Sequence, residues 1–146
     1  MKKTVCLALL CALLLTACGG KAVDPAALGP VLLEGAGFPE GMLTLERDMA
    51  GSIFQLDMDT VTACYAAVSG AAGADELLVL TAADQTAAEA IFDLLTARIG
   101  YRQESFADYN SAEAAKLEDP ILTREGSAVI YCVCPDPDAV RKILGK

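Results

Sequence analysis

The apolar positions of this chain follow two spacings that alternate along its length. Leu45, Met49, Ile53 and Leu56 recur at about four-residue steps and predict an amphipathic helix. Val61 to Ser69, rich in small and β-branched residues, and the unbroken apolar run Leu77 to Thr81 are of strand length. Gly70-Ala71-Ala72-Gly73 between them is turn chemistry, so the two predict an antiparallel hairpin. Helical spacing returns at Ile91, Leu95 and Ile99, joined by Phe92 and Leu94. Asp84 or Thr86 is placed to cap this helix, and Thr86 with Glu89 fits a capping box. Gly100 marks its end or a break. Asn110 with Glu113 predicts a cap for a short helix through Leu117, which Pro120 ends. Ile121 to Arg124 and Ala128 to Cys134 read as strands around a Glu125-Gly126 turn, and Asp136-Pro137 opens a last helix with Val140, Ile143 and Leu144 on its apolar side. Asp24-Pro25 uses the same device near the start, where Gly29-Pro30 interrupts Leu28, Val31 and Leu32.

The resulting order is helix, helix, then β-β-α-(α)-β-β-α. It implies an α+β fold: a four-stranded antiparallel sheet built from two ββα units, with helices mainly on one face and one or two helices preceding it. Strand order does not follow from the pattern.

The first residues obey a different pattern. Lys2 and Lys3 precede an apolar stretch from Val5 to Leu14, too short for the roughly 20 residues a spanning helix needs. Leu15-Thr16-Ala17-Cys18 then matches the lipobox of bacterial export signals. Residues 1–17 are therefore expected to be a cleaved leader and Cys18 the lipid-modified start of the mature chain. Residues 18–23 would form a short tether to a single domain over 24–146. Two acyl chains anchor far better than one, because each buried CH2 contributes about 0.8 kcal/mol. The expected location is the extracytoplasmic face of a cell membrane.

Charge sharpens that picture. Removing Lys2 and Lys3 with the leader leaves nine basic against twenty acidic side chains, a net −11. Such a domain is repelled by nucleic acid phosphates and by anionic lipid heads, so no nucleic acid partner is expected and membrane contact falls to the lipid on Cys18. The chain contains no His, which removes Ser-His-Asp and Cys-His catalysis and His-ligated metals.

Three cysteines fall within the domain. Cys132 and Cys134 are two apart on a predicted strand, so both thiols face one way, and Cys64 lies on the first strand. The favoured reading is buried, hydrophobe-like thiols. A disulfide from Cys64 to Cys132 or Cys134 is the alternative that an exported compartment permits, and a metal or redox site comes last because the spacing is not C-x-x-C. Asp57 and Asp59 read as caps, since the sixth and twelfth positions of a calcium loop starting at Asp57 would be Thr62 and Val68. Gln103, Tyr109 and Lys116 gather near one connection and are candidates for a recognition surface, although caps, packing and solvation explain them equally well.

From about Val23 onward the chain carries Ala74-Asp75-Glu76-Leu77, Gln103, Ser105-Phe106, Tyr109, Lys116-Leu117-Glu118, Gly126 and Asp136-Pro137-Asp138. In these it resembles the lipoprotein family catalogued as domain of unknown function 4358, found in Gram-positive anaerobes, and departs from it at Asn110-Ser111, where a proline is expected. The resemblance implies export and a domain boundary, and no catalytic residues, because the family has no assigned activity. The expectation is a membrane-anchored, non-catalytic binding or accessory module that meets an envelope protein and uses no cofactor. The alternatives are a carboxylate-based envelope hydrolase or a small-ligand carrier for a transporter.

Overall fold

A computed structural model describes residues 22–70 and 72–146. The leader 1–17, Cys18 and the first part of the tether lie outside the described residues. The elements are α1 (Pro25–Gly35), β1 (Leu43–Thr44), α2 (Arg47–Phe54), a 3-10 turn (Met58–Thr60), β2 (Val61–Val68), β3 (Glu76–Ala82), α3 (Gln85–Ala107), α4 (Ser111–Lys116), β4 (Ile121–Glu125), β5 (Ala128–Val133) and α5 (Pro137–Ile143).

Helix starts follow local chemistry. The side chains of Asp24, Asp84, Asn110 and Asp136 each accept a backbone N–H of the first turn, and Pro25 and Pro137 occupy the first helical position, where no N–H is needed. Two glycines behave differently from expectation. Gly29-Pro30 does not interrupt α1, which runs through both. Gly29 lies directly against a β2 side chain: a Cβ there would sit 2.2 Å from the Tyr65 ring. Packing of that face, with Leu32 fully buried, outweighs the backbone bond that Pro30 cannot make. Gly100 lies inside the single 23-residue α3, with open space around its Cα. The second helix is shorter than its apolar spacing. Leu45 belongs to the extended segment before it and donates its N–H to Ala66 O, while Gln55 ends the helix in the left-handed region at φ 58°.

The mixed α+β class and the antiparallel sheet are as expected, but the sheet has five strands rather than four, in the order β1-β2-β3-β5-β4. The added strand, β1, pairs only Leu43 with Val68 and Thr44 with Ala67. Both hairpins form, β2–β3 and β4–β5. In the second, Gly126 has φ +59° and Ser127 follows at negative φ, the arrangement a two-residue type II′ turn requires. The hairpins meet through β3 and β5, with Leu78 opposite Tyr131 and Leu77 opposite Cys132.

Helices cover both faces of this sheet, not mainly one. Leu78, Leu80, Val129, Tyr131 and Val133 pack under α2, α3 and Leu117. Leu77, Val79, Ile130 and Cys132 pack on the other side under Leu32 and Ala36 of the α1 end and Val140 of α5. Successive strand residues point to opposite faces, so β3 and β5, buried on both, read as unbroken apolar runs. None of the described helices is long and apolar enough to cross a membrane.

Candidate functional site

Two acids stand at the start of β3, Asp75 just before it and Glu76 as its first residue, and they are 1% and 2% exposed. A buried carboxylate is costly unless it is paired and hydrogen-bonded, and the fold supplies both. Arg98 and Arg102 stand one turn apart on α3 and reach Glu76 together. Arg98 gives Glu76 a forked pair, Nε to Oε2 at 3.0 Å and Nη2 to Oε1 at 2.6 Å, and Arg102 Nη1 lies 3.2 Å from Oε1. The Tyr131 hydroxyl of β5 donates to Oε2 at 2.8 Å. The arginines also fasten neighbouring loops: Arg98 Nη1 donates to Ile53 O and Arg102 Nη2 to Gly73 O. Their guanidinium groups lie over Phe54 and Phe106, and Phe54 meets Tyr131 edge-on at 6.1 Å.

Asp75 is served by α4. Lys116 Nζ bonds Asp75 Oδ2 at 2.8 Å and Glu113 at 3.0 Å, and Glu113 Oε2 accepts the Ala74 N–H at 2.6 Å. Asp75 Oδ1 is buried with no hydrogen-bond partner among the described residues. The six ionised groups balance in sign, three acids against three bases. A shallow depression of about 390 Å³ lies above them, where Glu40, Ser69 and Gly73 join Asp75, Glu113 and Lys116.

The titration directions fit a charge lock. Burial would depress the Arg98 and Lys116 cations, but the hydrogen bonds that Arg98 donates to Glu76, and Lys116 to Asp75 and Glu113, outweigh it and raise both. Burial would raise Glu113, but the Ala74 N–H and Lys116 hold its carboxyl below the usual range. Burial, then the Glu76 charge, pushes Tyr131 far above an ordinary phenol. The cluster therefore keeps Glu113 ionised and Tyr131 protonated at neutral pH. It can hold the hairpin end rigid, with Glu113 fixed as an acceptor and the Tyr131 hydroxyl as a donor.

The sequence candidates separate on the structure. Lys116 enters the cluster. Gln103 donates to Leu117 O at 2.6 Å and closes the end of α4, so its amide is engaged inside the fold. Tyr109 is 65% exposed and lies against Phe106. The three thus have different surroundings: an ion-pair cluster, a backbone carbonyl and an aromatic ring. All three domain cysteines are free thiols. Cys64 packs on the α3 side, with Cys132 and Cys134 on the α1 side, and β3 stands between their strands. That placement leaves no geometry for a disulfide from Cys64 to either. Cys132 shares a thiol hydrogen bond with Cys134, which together with burial pushes the Cys132 thiol up. Asp57 caps the 3-10 turn through the Asp59 N–H. Asp75, Glu76, Arg98, Arg102 and Tyr131 are the residues that pattern reading passed over as a site. Their signal was two acids opening an apolar strand and an i, i+4 arginine pair on an otherwise apolar helix face.

The residues of the resemblance meet here as well, since Ala74 to Leu77, Gln103, Phe106 and Lys116-Leu117 enclose this corner. A family model described as "Domain of unknown function (DUF4358)" matches residues 37–134, and so spans both hairpins and the whole cluster. The chain belongs to this family. No curated protein and no solved structure matches it.

Proposed function

We propose that this DUF4358 member is a lipoprotein of a Gram-positive envelope, cleaved before Cys18, acylated there, and working outside the cell as a non-catalytic binding or accessory module for an envelope protein. The observation that carries the reading is how the charges are used. Among the described residues, six of the twenty carboxylates sit in ion pairs, and the others leave an acidic exterior suited to a cationic partner surface. The buried charges are locked to one another. The hydrolase alternative gains less, because Asp75 and Glu113 flank a lysine above a shallow depression instead of facing each other across a cleft.

Two measurements test this. Mass spectrometry of the mature protein should find an acylated Cys18 as the first residue, and Cys18→Ala should leave the membrane fraction. An unacylated wild-type start removes the anchor from the proposal. Mild crosslinking of the acylated chain should then recover an envelope protein in a salt-sensitive complex. Recovering none removes the accessory role.

A further inference from the structure

The sheet ends differently at its two edges. The outer edge of β2 is partly covered by β1, whereas among the described residues no strand pairs beyond β4. The two-residue turn Gly126-Ser127 fixes which backbone groups β4 leaves over. Residues flanking such a turn exchange both ladder bonds, so Glu125, Thr123 and Ile121 bond to β5. The N–H and C=O of Leu122 and Arg124 therefore point outward, and among the described residues no loop or cap backbone bond reaches either. Beside this edge runs a groove of about 490 Å³ between β4 and α3, lined by Leu122, Thr123, Arg124, Glu89, Phe92 and Asp93. Arg124, Glu89 and Asp93 are exposed, and among the described residues none of the three has an ion pair. One cation and two carboxylates thus share a groove without meeting inside one copy.

We propose that β4 pairs antiparallel with β4 of a second copy of this chain about a two-fold axis at Thr123. In that register Leu122 lies opposite the partner's Arg124, and by symmetry Arg124 lies opposite the partner's Leu122. Each pair exchanges both backbone bonds, so every outward group of both edges is used. Leu122 and Arg124 share the α3 side of the strand, so the partner's Arg124 enters the groove beside Glu89 and Asp93 while Arg124 enters the partner's groove. This match of sign selects a second copy, because an isologous contact needs one surface that carries both halves of the pairing. The same charges deter pairing in other registers, where Arg124 would meet its own kind or lose its acids. The seam is small, so crosslinking reports it better than dilute-solution mass. The inference is independent of the anchoring proposed above.

The test uses the full chain as cells process it. Thr123→Cys places two thiols directly opposite in a non-hydrogen-bonded pair, whose Cα separation of about 4.5 Å falls within disulfide range. Mild oxidation should give a dimer joined through residue 123, identified as a linked peptide by mass spectrometry. The parent chain and Glu118→Cys, which is exposed away from the edge, should give no such product. Arg124→Glu added to Thr123→Cys should lower the crosslinked fraction about tenfold, and Glu89→Lys with Asp93→Lys added to that pair should restore it. Matching circular dichroism spectra establish that each variant is folded. A folded Thr123→Cys chain that stays monomeric overturns the proposal, as does a crosslinked fraction indifferent to Arg124→Glu.

Discussion

The two faces of the sheet are packed by different chemistry. On the α3 side, rings and ions are interleaved: Phe54 and Tyr131 edge to face, Arg98 over Phe54, and Glu76 held by two arginines and a phenol. On the α1 side, the packing residues are apolar: Leu32, Ala67, Leu77, Val79, Ile130, Cys132 and Val140. The first face gains directionality, since each charged group tolerates few arrangements. The second depends on area and shape, and tolerates substitutions that keep volume. Loss of a partner should therefore hurt more on the α3 side than loss of volume on the α1 side.

The largest effect should come from Glu76→Ala, which strands two partly buried guanidinium groups and the buried Tyr131 hydroxyl. It should lower unfolding free energy by about 4 kcal/mol, measured by urea denaturation. Leu32→Ala on the opposite face should cost about 3 kcal/mol through lost transfer energy and a cavity, with little dependence on salt. If the second loss exceeds the first, the contrast between the faces is reversed. Gly29→Ala should cost about 2 kcal/mol by forcing α1 away from the Tyr65 ring, and adding Tyr65→Ala should not compound the loss additively.

A smaller effect, below about 1 kcal/mol, is expected for Glu113→Gln, and its signature is in pH. A carboxyl held below its unfolded value stabilises the fold above that unfolded value, roughly pH 4.3, and the contribution is lost as pH falls through the folded one. The wild type should thus lose stability more steeply than the variant across that acid window, while neutral-pH stabilities stay close. Smallest of all is Arg141→Ala, whose exposed pairs with Asp119 and Asp138 should leave the denaturation midpoint unchanged.

Much of the local structure was written in the residues. Aspartate and asparagine caps, the Gly126 turn and the two hairpins followed from chemistry that acts within a few positions. The order β2-β3-β5-β4 did not, because joining β3 to β5 is a choice between distant partners that both offer unbroken apolar runs. Those runs did carry one message that was passed over. A sheet with a bare face alternates apolar and polar residues, and Leu77 to Leu80 and Ala128 to Val133 do not. β1 is two residues long and has no period to read. At the cluster, Lys116 and Gln103 were visible as polar residues near one connection. Their partners, Asp75 and Leu117 O, became visible only when α4 turned back onto the hairpin.

The way the hairpins join has a kinetic consequence. Each closes over its own short turn, so β2–β3 and β4–β5 form early and locally. The ladder between β3 and β5 must wait until α3, α4 and β4 have been traversed and both hairpins exist. Long-range pairing of this kind is slow because loop entropy is lost before contacts compensate for it. Docking of the two halves is thus expected to set the refolding rate, with Leu78 and Tyr131 opposite each other on the ladder that it completes.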